Sequence, residues 1–364
     1  VKISGGGRCN VTHACFEPAQ LVQFYPRGNK ALRSAFHRFQ PKDTIAWFAA
    51  EGVTLKTEAD GRMFPDTDSS QTIIDCLLSK AERLGVEIWA ECSLESIEPT
   101  HGPHRFKVQT SLGEYLAQNI LLATGGNPQS KGVVLAQNMG HTIVPHVPSL
   151  FTFNIKDPRL EDLQGISFPE AEATIPALKL KAKGPILITH WGLSGPGILK
   201  LSAWAARQLH ERGYKFEIAV NLLANVPENT LRDRIEAIKI DKAKQLVFKS
   251  GLGDFSYRFW ISVAKAAGIH WYTRWADVNR LQIEGIIKEL KQGTYQVDGK
   301  STHKEEFVTC GGVELSEVDF RTMQSKRVPG LYFSGEILDI DGLTGGFNFQ
   351  AAWTTGWIAG QALS

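Results

Sequence analysis

The chain has 364 residues, 43% of them hydrophobic, and its 40 basic and 38 acidic side chains leave a formal net charge of +2. That balance excludes a disordered polyelectrolyte and a charged tail, and the length is enough for two or three domains. Five cysteines without CxxC or metal-ligand spacing argue against a disulfide framework and a zinc site, and apolar runs such as NILLA and PILIT fall far short of the roughly 20 residues that cross a bilayer. With no signal-peptide pattern, the expected location is cytoplasmic.

The first ten residues, VKISGGGRCN, carry three consecutive glycines, which leave backbone amides uncovered and permit positive φ. Two helix-like stretches follow within 28–51, NKALRSAFHRF and, after Pro41, KDTIAWFAAEG closed by Gly52. VTLKTEADGRMF predicts a hairpin about Asp60-Gly61, and SSQTIIDCLLSKAERLG a capped amphipathic helix stopped by Gly85, feeding a short strand VEIW. FKVQT and EYLAQNI read as paired strands, and ILLATGG as an apolar strand of a parallel sheet covered on both faces.

From about His146 prolines punctuate short strands such as SLFTFNI, PILITHWG and KFEIAVN, the texture of a β-rich domain. From Pro227 to about Gly293 the pattern is helical, through NTLRDRIEAIKI, SYRFWISVAKAAG and LQIEGIIKELKQG. GLYFSG then predicts a strand, and FNFQAAWTTGWIAGQAL a closing helix that starts beyond Thr344, Gly345 and Gly346. The returning texture implies one discontinuous α/β domain with the middle of the chain inserted into it.

Three glycine clusters, Gly5-Gly6-Gly7, Gly125-Gly126 and Gly345-Gly346, would line a backbone trough if they share the rim of one sheet. A helix amino end in such a trough suits a pyrophosphate or the electron-rich edge of a reduced flavin. The stretches ISGGGRCNVTH (3–13), ILLATGG (120–126), THWGLSGPGIL (189–199), VTCGGVELSEVD (308–319) and TMQSKRVPGLYFSGEILDIDGLTGGFNFQAAWTTG (322–356) carry a more specific signal. Through them the chain resembles, nearly end to end, the HI0933-like (YhiN/BaiN-like) bacterial NAD(P)/FAD-dependent oxidoreductases.

The resemblance implies an α/β fold: a two-dinucleotide-binding, Rossmann-like FAD domain interrupted by a β-barrel-like domain that carries a helical insertion. The implied boundaries are 1–144 with 321–364, 145–226 with 294–320, and 227–293. It also implies that about forty residues, the strand, GxGxxG loop, helix and second strand of the family, stand before the segment at Val1. A product beginning there is expected to hold FAD poorly.

By resemblance, the cofactor-binding residues are Ser4, Gly5, Gly6, Gly7, Arg8, Cys9 and Asn10 near the ribityl and ring portion, with Thr124, Gly125 and Gly126 near the dinucleotide. Gly335, Glu336 and Asp341 are expected near the ribityl hydroxyls, and Gly345, Gly346, Phe347 and Asn348 at the closing helix, where the family often has tyrosine in place of Phe347. Arg8 suits a phosphate, a substrate carboxylate or an acidic neighbour; Asn10 suits the flavin edge or a loop brace. His190 is the candidate proton-transfer residue, and a core or loop role fits it as well. Tyr25 and Arg27 suit a pocket wall or a turn at Pro26. The spacing of Cys9 and Cys15 matches neither CxxC nor CxxxxC, so an ordinary cysteine is the expected role.

The expected function is hydride transfer between FAD and a small or medium organic substrate, by amine oxidation or enone-type reduction, with NAD(P)H or oxygen as redox partner and no metal or membrane. An RNA-associated flavoprotein is the alternative in another class. Arg232, Arg234, Lys239, Lys242, Lys244 and Lys249 give some positive charge, which Glu228, Asp233, Glu236 and Asp241 dilute, so nucleic acid is not the expected partner. A non-catalytic flavin-binding chain is the third reading.

Overall fold

A computed structural model describes residues 1–101, 103–127, 129–301 and 308–363. The chain divides into two compact units, Val1–Ser149 with Lys304–Ser364, and Leu150–His303.

In the first unit the strands Ile120–Leu122 and Leu331–Phe333 run parallel, joined to two short antiparallel strands, Gln324–Ser325 and Val318–Asp319. Leu331 and Phe333 are fully buried, but Leu121 is 36% exposed: Ile120–Leu122 is an edge strand of this sheet and is not covered on both faces as its apolar run predicts. The closing helix, Phe347–Leu363, packs beside them. It is apolar nearly all round, as a helix enclosed on several sides must be.

Its polar contacts fix its position. Gln350, fully buried, accepts hydrogen bonds from Thr12 at 2.6 Å and Thr44 at 2.9 Å and donates to Thr354 at 3.1 Å, while Thr354 donates to the Phe39 carbonyl. Each bond adds about 1 kcal/mol net, but an unpaired buried amide costs more, so the network specifies one seating of the helix.

The helices Asn29–Phe36, Pro41–Ala50 and Ser70–Arg83 form as their patterns predict, Pro41 at a first-turn position and Ser69 capping the amide of Gln71. The hairpin about Asp60-Gly61 forms from Leu55–Thr57 and Arg62–Pro65, with Thr12–His13 as a third strand. Phe106–Thr110 and Gly113–Ala117 pair, as FKVQT and EYLAQNI predict, although Ile120–Leu122 joins the other sheet.

The strand expected at VEIW does not form. Val86, Ile88 and Trp89 are exposed and pair with no strand among the described residues. Apolar β-formers without backbone pairing stay irregular, and Trp89 packs on the Tyr115 ring instead.

The second unit holds two antiparallel sheets. Thr152–Asn154, Ser167–Phe168, Ile186–Thr189, Gly192–Ser194 and Lys300–Ser301 form one, and Glu172–Ile175, Leu180–Lys183, Lys215–Asn221 and Gly293–Asp298 the other. The helices Glu228–Asp241, Tyr257–Ala266 and Arg280–Gln292 match the three helical stretches read from sequence. A fourth helix, Pro196–Glu211, begins within the motif THWGLSGPGIL and has no counterpart in the sequence reading. All share one apolar core that includes Phe153, Ile198, Leu231, Trp260, Trp275 and Ile286.

Among the described residues no helix is long and apolar enough to cross a membrane, and no group of three or more His, Cys, Asp or Glu could hold a metal ion.

Candidate functional site

The carboxyl ends of both parallel strands open on one cavity of about 730 Å³ in the first unit, a size common for small-molecule sites. Ala123 and Gly125 follow the first strand, and Ser334, Gly335 and Glu336 the second. This is where open α/β sheets bind ligands, because the strand-to-helix turns there expose unpaired amides. Asn348, on the first turn of the closing helix, also lines the cavity, its side-chain amide accepting from the Gly342 amide at 2.7 Å and donating to the Gly342 carbonyl at 3.0 Å.

The rest of the wall is aromatic. Phe349, Trp353 and Trp357 recur every four residues along one stripe of the closing helix, facing Phe39, Trp47 and Phe48. Phe39 stacks on Trp357 at 5.3 Å, and Phe48 meets Trp353 edge-on at 5.9 Å. The Trp353 indole donates to the Val11 carbonyl at 2.9 Å, which holds the ring. None of these six stands out as a site residue in the sequence, although Phe349 and Trp353 fall within the motif at 322–356 and the four-residue period of Phe349, Trp353 and Trp357 is visible there.

Of the predicted cofactor-binding residues, Gly125, Gly335, Glu336 and Asn348 therefore line one cavity. Gly125 has φ +79 and open space where a Cβ would stand, so its backbone can be approached directly. Burial pushes the Glu336 carboxyl above its ordinary pKa, and the nearby Asp341 adds to the effect. Thr124 packs against Gly132 of the helix Lys131–Asn138, and Gly126 is held through its carbonyl by the Thr309 hydroxyl at 2.5 Å.

The closing-helix glycines meet the segment that follows the first glycine cluster. Gly346, at φ +90, lies so close to the Thr12 carbonyl that a Cβ there would overlap it. Asn10, with its amide oriented to suit its neighbours, donates to the Thr12 carbonyl at 3.1 Å and accepts from the Gly346 amide at 3.0 Å. It thus braces the loop against the helix start and occupies one of that helix's free amides. A Cβ on Gly345 would contact Phe347 and His13. Ser4 donates to the Val1 carbonyl at 2.8 Å, and Gly5, Gly6 and Gly7 all take left-handed φ values.

Arg8 is engaged within the unit: it donates to Glu58 at 2.6 Å, lies 3.5 Å from Asp68 and sits over the Phe64 ring. Cys9 is buried among Val11, Phe48, Val53 and Ile73, and burial pushes its thiol up; Cys9 and Cys15 are both free thiols. Phe347 is 2% exposed, stacked between His13 at 4.6 Å and Phe24 at 4.3 Å, while Tyr25 donates to its carbonyl at 2.6 Å. Asp341 is fully buried and bound by Arg27 and Ser149. His190 belongs to the second unit, exposed in the turn between Ile186–Thr189 and Gly192–Ser194, with Trp191 exposed beside it.

The residues present fit part of a flavin dinucleotide. Bare backbone at Gly125 and Gly335, a carboxyl at Glu336 and broad aromatic walls suit a polyhydroxyl chain and a flat ring. A pyrophosphate would find no cationic side chain among the lining residues and would rely on backbone amides.

Comparison with known proteins places these features in context. The family profile described as the HI0933-like protein Rossmann domain matches residues 1–362. A ribosomal RNA dihydrouridine synthase of Haemophilus influenzae is 28% identical over 376 residues, covering 100% of this chain and 89% of that protein. A 3-dehydro-bile acid delta(4,6)-reductase of Clostridium scindens is 26% identical over 368 residues, covering 99% and 88%. Among solved structures, the quinol fumarate reductase subunit FrdA of E. coli aligns with a TM-score of 0.44 at 14% identity, over 98% of this chain and 62% of that one.

Proposed function

The chain belongs to the HI0933-like Rossmann-domain family, a family of flavin-dependent oxidoreductases, and on that footing we propose that it reduces a carbon–carbon double bond conjugated to a carbonyl. The observation that carries this reading is the cavity at the carboxyl ends of the two parallel strands, with open backbone at Gly125 and aromatic walls. Bound FAD, once reduced by NAD(P)H as the proposed donor, would supply the hydride.

The chain's own residues have separable parts in this. Gly125 and Gly335 admit a ligand to van der Waals contact with the backbone. Glu336 accepts from hydroxyls, the easier role for a carboxyl whose pKa is raised and which phosphate would repel. Trp47, Trp353 and Trp357 exclude water from one side. Unit two is proposed to supply the substrate domain, β-barrel-like with its helical insertion at 227–293, and His190 a proton-transfer group.

Two relatives support this chemistry over amine oxidation. A bile-acid delta(4,6)-reductase saturates double bonds conjugated to a ring ketone, and a dihydrouridine synthase saturates the double bond of uracil, conjugated to its C4 carbonyl. Uridine in RNA is accordingly a second substrate reading, favoured by the relatives from H. influenzae and Escherichia coli. Anaerobic incubation of the protein with FAD, NADPH and either a steroid 4-en-3-one or uridine-containing RNA, followed by mass spectrometry, tests both. A gain of two mass units is expected on one of them; oxidation of amines with neither substrate reduced would overturn the proposal.

A further inference from the structure

The second unit carries a surface that its charge count conceals. Of the basic residues in the helical region, Arg232 binds Glu284 and Glu228, Arg234 binds Asp254, and Lys239 donates to the Val278 carbonyl at 2.6 Å. Of the four acids that dilute the charge in sequence, Glu228 alone is bound, among the described residues, by one of these arginines, whose other partners are Glu284 and Asp254. Residues 242–276 hold six basic residues and one acid, Asp254, which is bound by Arg234; Asp241 and Asp277 flank the stretch.

The fold lays two parts of this stretch side by side. The Val247 amide donates to the Thr273 carbonyl at 3.0 Å, the Trp275 amide to Gln245 at 3.0 Å and the Ala276 amide to Ala243 at 3.0 Å, with a bridge between Leu246 and Arg274. Lys244 therefore lies within a segment paired with 273–276, which includes Arg274; Lys242 and Lys249 flank that segment, and Trp271 and Tyr272 directly precede its partner. None of the four cations forms an ion pair among the described residues.

Both rings are exposed, and Trp271 is held by packing on one side. Trp271 is 48% exposed, its other side packed on the buried Phe248 ring at 4.5 Å. Tyr272 is 83% exposed. Beneath them Trp260 donates to the Val247 carbonyl at 2.8 Å and Trp275 to the Ser250 carbonyl at 2.9 Å. Two adjacent exposed aromatic rings on one loop form an apolar patch that a partner can cover.

We propose that this loop pair is a docking surface for unpaired RNA, with Trp271 and Tyr272 stacking on bases and Lys242, Lys244, Lys249 and Arg274 contacting phosphates. Flat exposed rings interleaved with unpaired cations match a flexible polyanion whose bases are free to stack, and a duplex, with its bases already stacked, cannot use them. The inference rests on the RNA-uridine reading of the reaction and adds the surface that would hold that substrate.

Fluorescence anisotropy with a labelled 12-nucleotide oligouridylate and a 12-base-pair RNA duplex, on the purified full chain, tests it. The single strand should bind more tightly than the duplex, and W271A/Y272A should weaken that binding by about tenfold or more with an unchanged circular dichroism spectrum. K244Q/K249Q should lower the slope of log affinity against log salt by about 1.4, for two phosphates lost. Equal binding of duplex and single strand, unchanged affinity in both folded variants, or equal binding of polyglutamate would overturn it, the last assigning the surface to an acidic protein segment. Enone reduction by the wild-type chain separates the two readings: reduction without RNA binding fails the surface alone, and RNA binding without reduction of either substrate fails the reaction alone.

Discussion

Arg27 and Asp341, 314 residues apart, form a two-pronged ion pair in which the guanidinium Nε and Nη2 each reach one carboxylate oxygen. Ser149 donates to the same carboxylate at 2.8 Å, and the two backbones also meet in a bridge. Asp341 is 0% exposed, so the pair depends on its completeness. Arg27→Met is expected to lower stability by about 3 kcal/mol by stranding a buried carboxylate, and adding Asp341→Asn should recover much of the loss. Urea unfolding of the single and double variants measures both.

A second buried pair predicts acid sensitivity. His141 approaches Glu317 at 3.0 Å and Ser325 at 2.8 Å. Burial pushes the Glu317 carboxyl up, but hydrogen bonds from Thr142 and the Arg327 guanidinium outweigh it and hold the carboxyl at about 2, against 4.5 ordinarily. A depressed carboxyl contributes stability above its unfolded value and loses it as pH falls through the folded value. Stability should therefore decline between pH 4.5 and about 2. Burial likewise holds His141 below its ordinary 6.5, which extends the decline to higher pH in the same direction. Glu317→Gln is expected to remove about 3 kcal/mol at neutral pH and flatten the acid limb, read from denaturant midpoints across pH.

Gly346 has no room for a side chain. Its would-be Cβ overlaps the Thr12 carbonyl, and its φ of +90 strains any other residue. Gly346→Ala is expected to cost about 1–3 kcal/mol and to disturb the start of the closing helix. A thermal melt checks the first effect. Weaker flavin retention checks the second.

Gly125 tests the cavity itself. Gly125→Val should project into the open space and lower FAD affinity more than tenfold by titration calorimetry. Gly140→Val, also at positive φ with open space, carries similar strain without lining the cavity and should leave affinity near wild type. Equal losses in both would detach the cavity from flavin binding.

What the sequence determined by itself is local. The closing helix follows from a continuous apolar stretch behind Gly345-Gly346, the parallel strands from the short apolar runs ILL and LYF, and the three helices after Pro227 from their periodicity. Long glycine-rich motifs carried the family, because ordered glycines at separated positions are hard to obtain by chance. Tertiary structure alone decided the rest. VEIW has strand chemistry but joins no sheet among the described residues, meeting the edge strand Gly113–Ala117 through the Trp89 and Tyr115 rings and not through backbone pairing, and pairing is a property of neighbours. Arg8, Asn10 and Asp341 look like ligand groups in sequence, yet each has protein partners that only folding supplies. Trp353 faces Phe48, and Lys244 lies on the segment beside Trp271, through contacts between distant segments, which leave no period in the chain to read.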